Sequence, residues 1–238
     1  MSGAAHGLLE VDGLGAGYGR KQVVFDASFS VAAGEVVVLL GHNGAGKSTV
    51  LRAVHGLLPA RSGTIRYGRQ EITGRSVQQN VADGVAFMAS ERFVFDDLTV
   101  SANLDAAALP VPRSRRRAQI AHAQGLFPVL AERSNQLAGT LSGGQKRMLS
   151  TAMLLSTGPR LLLLDEPSLG LAPAVVDQLF GVLRSLCDRE GLGILLVEQN
   201  VGQALRIADR VVALRAGRIM LVEDAAVLRQ RTEFWDLF

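Results

Sequence analysis

The chain has 238 residues, enough for one large domain or for one domain carrying an inserted lobe. Hydrophobic residues at 48% and charged residues at 20% exclude disorder as its main state, and aromatics at 5% leave the core to Leu, Val, Ile and Ala. A formal net charge of +3 is too weak to argue for nucleic acid, and the lone Cys187 excludes a disulfide framework and points to a reducing compartment.

Met1–Glu10 has neither a basic start nor a long apolar run, so no secretory leader is expected. No stretch approaches the roughly 18–20 apolar residues of a membrane span. Leu8–Val11, Val23–Val31 and Thr64–Tyr67 read as strands separated by Gly-rich turns. Glu35–Leu40 is a short, nearly continuous apolar run of the kind buried on both faces of a parallel sheet. Lys47–Gly56 reads as a helix closed by Gly56, and Val85–Met88 as a strand. From Thr99 to about Leu155 the pattern is helical, broken at Pro110, Pro112 and Pro128. Leu161–Leu164 is strand, Ala174–Arg189 helix, Gly193–Val197 strand and Val201–Asp209 helix. Val211–Leu214 and Arg218–Val222 form a hairpin about Ala216-Gly217, and Ala225–Gln230 is helical. This order predicts an α/β core with a parallel central sheet, an antiparallel β edge from the strand-rich beginning, and an inserted helical subdomain at about 89–157. The core would then comprise about 1–88 and 158–238, as a single domain with no internal repeat.

Gly41-His42-Asn43-Gly44-Ala45-Gly46-Lys47-Ser48 fits G-x-x-x-x-G-K-[ST] and lies between a buried strand and a helix. Gly41, Gly44 and Gly46 let the backbone curl so that its N–H groups, with Asn43, face phosphate oxygens. The helix start adds its positive dipole end. Lys occurs only at positions 21, 47 and 146 in a chain that otherwise uses Arg, so the Lys at 47 is a specific choice. Its compact charge suits β- and γ-phosphates, Ser48 offers a hydroxyl to Mg²⁺, and Thr49 is placed for the α-phosphate. Leu161–Leu164 ends in Asp165 and Glu166, where a buried strand delivers acids to a ligand crevice. Asp165 would hold Mg²⁺, and Glu166 would polarise an attacking water. His6, His42, His55 and His122 show no metal-ligand spacing.

Leu141-Ser142-Gly143-Gly144-Gln145 precedes a helical run, with Ser142 as N-cap and two glycines baring N–H groups for an anion. Phosphate loop, then LSGGQ, then LLLLDEP, in that order over about residues 8–223, resembles the ABC ATPase family. The resemblance implies ATP and Mg²⁺ as ligands, with Lys47, Glu166 and Gln199 carrying the chemistry. It places Tyr18 on the adenine and Ser168–Leu171 in a loop that communicates across a dimer. It also implies that Ser142, Gly143, Gly144 and Gln145 complete the ATP site of a second cassette. Two positions depart from the family pattern. Gln199 stands where a His is usual; it can donate to the γ-phosphate but cannot carry a proton. Ser90, with Glu91 beside it, stands where a Gln is usual as a contact to metal or water.

The strings Leu126-Phe127-Pro128, Asp165-Glu166-Pro167-Ser168-Leu169-Gly170-Leu171-Ala172-Pro173 and Val197-Glu198-Gln199-Asn200 together are similar to ATP-binding subunits of branched-chain amino-acid uptake systems. There, Gln in place of the His is usual. Urea and short-amide importers share much of the pattern, and the tail Arg231–Phe238 departs from it. The resemblance implies polytopic membrane permease subunits and a second, related cassette as partners, no nucleic acid, and a cytoplasmic protein peripheral to the inner face of the cell membrane. The rival class is a soluble ABC ATPase acting on ribosomes or DNA. A single cassette without a heptad run weighs against it, and LSGGQ weighs against a P-loop kinase or G protein. Arg113-Ser114-Arg115-Arg116-Arg117 reads first as a solvated helix start, with contact to lipid headgroups or an acidic partner loop as the sharper alternative.

Overall fold

A computed structural model describes residues 7–90 and 93–230. The chain opens with a hairpin, β1 (Leu9–Tyr18) and β2 (Lys21–Val31), followed by β3 (Val36–Leu40) and α1 (Lys47–His55). β4 (Ala60–Tyr67), the two-residue β5 (Gln70–Glu71), α2 (Val77–Ala82) and β6 (Val85–Met88) come next. The helical stretch divides into α3 (Val100–Ala107), α4 (Arg113–Leu126), α5 (Pro128–Glu132), a 3₁₀ turn at Ala138–Thr140, and α6 (Gly143–Leu155). Then follow β7 (Leu161–Asp165), α7 (Pro173–Glu190), β8 (Gly193–Val197), α8 (Val201–Ile207), β9 (Arg210–Arg215), β10 (Arg218–Asp224) and α9 (Ala225–Leu228).

The described strands form two sheets. The larger has the order β10-β9-β3-β8-β7-β6, parallel from β9 to β6, with β10 antiparallel at its edge. The smaller, β2-β1-β4-β5, is antiparallel throughout. The strand-rich beginning therefore builds its own sheet, and the antiparallel edge of the central sheet comes from the other end of the chain. Hydrophobic runs alone do not say which strands pair, because pairing is decided by long-range packing.

The three central strands β3, β7 and β8 are buried along their whole length, and successive side chains serve opposite faces. Val36, Val38, Leu40, Leu162, Leu164, Ile194 and Leu196 pack with α3, α4, α6, α7 and α8 on one side. Val37, Leu39, Leu161, Leu163, Leu195 and Val197 pack on α1 and the antiparallel sheet on the other. Each such side chain removed from water contributes about 1.5–3 kcal/mol before entropy is counted, and the layers hold the sheet rigid. α2 had no signal in the hydrophobic pattern, having only Asn80 buried, yet Ser76 and Gln79 form a capping box at its start.

Candidate nucleotide site

The parallel order sets the site. β3, β8 and β7 lie side by side in register, with Leu39 opposite Val197 and Val197 opposite Asp165. The segments that follow them, 41–47, 198–200 and 166–171, thus leave the same end of the sheet, where open α/β folds bind ligands. The segment after β3 is the glycine loop. Gly41, Gly44 and Gly46 have φ of 153°, 81° and 107°, in the left-handed half of backbone space that glycine occupies without strain. A side chain on Gly41 would collide with the Leu214 carbonyl of β9, so the close approach of the loop to the sheet also requires glycine.

Lys47 begins α1 and is 5% exposed. Its Nζ donates to the carbonyls of Gly41 at 2.6 Å and His42 at 3.0 Å, which holds the ammonium inside the curl of the loop. Burial lowers its pKa, and the negative fields of Glu166 and Asp165 act against that. Ser48 Oγ donates to Asp165 Oδ1 at 2.9 Å. Burial pushes the Asp165 carboxyl up, with the Ser48 hydrogen bond opposing. Glu166 has φ of 50°, an uncommon conformation for a residue with a Cβ, and its N–H donates to Val197 O at 2.9 Å. Gln199 Nε2 donates to Glu166 Oε1 at 2.7 Å.

Lys47, Ser48 and Glu166 border a cleft of about 480 Å³ lined also by Tyr18, Asn43, Gly44, Gly46 and Thr49; Asp165 and Gln199 reach it through their bonds to Ser48 and Glu166. Tyr18 is 44% exposed at its rim, with its hydroxyl accepting from Arg52 Nη1 at 3.1 Å. The volume and the mixture of an aromatic rim with a cationic, N–H-rich floor suit a nucleoside polyphosphate. The oxygens of Ser48 and Asp165 are hard donors of the kind Mg²⁺ takes. A divalent cation there would offset the desolvation of the buried carboxylate. The residues fit both groups.

Ser142–Gln145 do not line this cleft. They form a capping box at the start of α6, with Gln145 N–H donating to Ser142 Oγ at 3.3 Å and Ser142 N–H to Gln145 Oε1 at 3.0 Å. Ser90 does not line it either: its carbonyl accepts from Arg147 Nη2 of α6 at 2.9 Å. Glu91 lies outside the described residues, as does the tail 231–238. Sequence reasoning missed Lys21, Phe25 and Ala216, which also line the cleft. It also missed Glu198, an acid directly after a buried strand as Glu166 is, which accepts from Ser168 N–H and Oγ–H.

Fold and site together define a phosphate-loop nucleotide-binding α/β protein. A model of the ABC transporter family matches residues 24–169. The chain is 41% identical over 231 residues to the high-affinity branched-chain amino acid transport ATP-binding protein BraG of Pseudomonas aeruginosa, covering 97% of this chain and 99% of that one. It is 35% identical to the probable branched-chain amino acid transport ATP-binding protein LivF of Archaeoglobus fulgidus, covering 95% and 96%. A solved ATP-binding subunit of an ABC transporter superposes with a TM-score of 0.82 at 27% identity, covering 96% of each chain. The chain belongs to the ABC transporter family, as an ATP-binding subunit with ATPase activity. Among the described residues no helix is long and apolar enough to cross a membrane.

Proposed function

We propose that this protein is the ATP-hydrolysing subunit of an importer for branched-chain or related amino acids. The observation that carries the reading is its end-to-end likeness, at 41% identity, to a branched-chain amino acid transport ATP-binding protein. ATP would lie with its adenine on Tyr18 and its phosphates on Gly41–Gly46, Lys47 and Thr49. Mg²⁺, held from Ser48 and Asp165, would neutralise charge on the phosphates. Glu166 accepts a proton from the attacking water as oxygen bonds to the γ-phosphorus and the bond to the bridging oxygen breaks, leaving ADP and phosphate. Gln199 cannot take that proton. Its role is to hold the Glu166 carboxylate and to donate toward the γ-phosphate.

Ser142–Gln145, outside the chain's own cleft, would present the start of α6 to ATP held by a second cassette, where N–H groups stabilise γ-phosphate charge. The helices within about 89–157 would act as the inserted subdomain. An apolar groove of about 550 Å³ between them and β6, lined by Phe87, Phe93, Phe95, Leu109 and Met153, supports docking of a membrane permease there. The protein would then sit at the inner face of the cell membrane through its partners, with no nucleic acid.

The test is affinity purification of the tagged chain from detergent-solubilised membranes, with mass spectrometry of what accompanies it. Two polytopic membrane subunits, a sister cassette and an amino-acid-binding protein are expected. A urea- or amide-binding protein would replace the cargo. Ribosomes or nucleic acid without membrane protein would overturn the transport role.

A further inference from the structure

Glu198 takes no part in the chemistry above, yet its carboxylate is 2% exposed, one residue past the end of β8. Each of its oxygens accepts a hydrogen bond from Ser168. Ser168 N–H donates to Oε1 at 2.9 Å and Ser168 Oγ–H to Oε2 at 2.7 Å. Burial pushes the carboxyl up, and the hydrogen bonds from Ser168 and from the backbone of Gln199 oppose that. The charge of Glu166 pushes it up further. An apolar side chain would fill this space without desolvating an ion beside a like charge.

We propose that Glu198 is a positioning residue for ATP hydrolysis: it ties the loop at Ser168 to the end of β8, so that Glu166 and Gln199 stay in register with one another. The proposal rests on the reading that Glu166 handles the attacking water.

The connections between the two segments are local and complete. Glu166 N–H donates to Val197 O at 2.9 Å, Glu198 holds Ser168, and Gln199 holds Glu166 at 2.7 Å. Within the loop, Leu169 N–H returns to Glu166 O at 3.2 Å and Leu171 N–H to Ser168 O at 3.1 Å. Pinning Ser168 therefore pins Glu166 two residues before it. Glu166 needs that support, since a φ of 50° persists in a non-glycine residue only when its surroundings over-determine it. Released from Glu198, the loop can relax, and the carboxylate moves relative to both Gln199 and the water it must polarise.

The test compares steady-state ATPase kinetics and nucleotide binding in the full chain and in three variants. Glu198→Ala is expected to lower kcat by roughly 10- to 100-fold, the scale of a small misplacement of a catalytic group. KM and Kd for ATP are expected to stay within about 2-fold, because Lys47, Ser48 and Tyr18 are untouched. Glu198→Gln is expected to keep kcat within about 3-fold of wild type. Its amide oxygen accepts from Ser168 N–H and its amide nitrogen donates to Ser168 Oγ. Ser168→Ala, which leaves the carboxylate in place and removes one of the two bonds, is expected to fall between them and serves if Glu198→Ala does not fold. Wild-type kcat in Glu198→Ala or, failing its folding, in Ser168→Ala overturns the proposal. So does a Glu198→Gln as slow as Glu198→Ala, or a loss of ATP binding in parallel with kcat. Full activity in Glu166→Gln, measured alongside, would instead sink the underlying reading of Glu166.

Discussion

Ser48 and Asp165 are 117 positions apart in the chain, and their side-chain oxygens lie 2.9 Å from one another. The contact joins the first turn of α1 to the last residue of β7, and it sets two hard oxygen donors at one point beside the cleft. Asp165→Asn keeps the shape but removes the charge. ATPase activity in that variant should need at least ~10-fold more Mg²⁺ for half-maximal rate, the scale of losing a charged ligand or its support. A magnesium titration at fixed ATP measures this, and an unchanged midpoint would remove Asp165 from the metal site.

Glu166→Gln is expected to bind ATP as wild type does and to hydrolyse it ~10²–10⁴-fold more slowly, the range for removal of a general base. Turnover assays with nucleotide-binding measurements separate the two effects. Full activity would refute the role assigned to Glu166.

His55 gives a prediction about pH and stability. Its ring is 5% exposed, packs on Phe87 with centroids 5.4 Å apart, and has no hydrogen bond at Nδ1. Burial lowers its pKa from 6.5 to about 4. The folded state thus holds this proton less readily than the unfolded chain. The associated stability is fully present above about pH 6.5 and is lost as pH falls toward 4, by up to ~3 kcal/mol. Denaturation of wild type and His55→Leu between pH 7 and 4 should show wild type losing stability faster. Parallel curves would contradict a neutral, buried His55.

Cys187 is 2% exposed on α7, and burial pushes its thiol up to about 12. The thiolate is the reactive form, so the native protein at pH 8 should resist alkylation and react on denaturation. Rapid modification of the folded chain, followed by mass spectrometry, would show that this helix opens readily.

The site was legible to the degree that its chemistry is local. The glycine loop declares itself because a chain can bind phosphate with backbone N–H groups only where glycines permit the curl, and eight consecutive residues hold that information. Asp165 and Glu166 are informative because a buried strand of a parallel sheet cannot easily carry acids within it, and the phosphate loop supplies the ligand they could meet at its carboxyl end. Glu198 stands at the same kind of place, at the start of the polar run Glu198-Gln199-Asn200, but nothing in the sequence points to Ser168 as its partner. Ser90 is placed only by counting along a pattern; its carbonyl accepts from Arg147 of α6.

The sequence by itself determined the alternation of buried strands and helices, the phosphate loop, the acids at the end of β7 and the start of α6 at Ser142. Each rests on periodicity or on a few adjacent residues. Only the tertiary structure decided that β1 pairs with β4 in a separate sheet, that β9 brings its hairpin to the edge of the central sheet beside β3, and that Ser48 meets Asp165 and Gln199 meets Glu166. Those are pairings between segments far apart in the chain. They are set by how one sheet buries both of its faces at once, which no local pattern encodes.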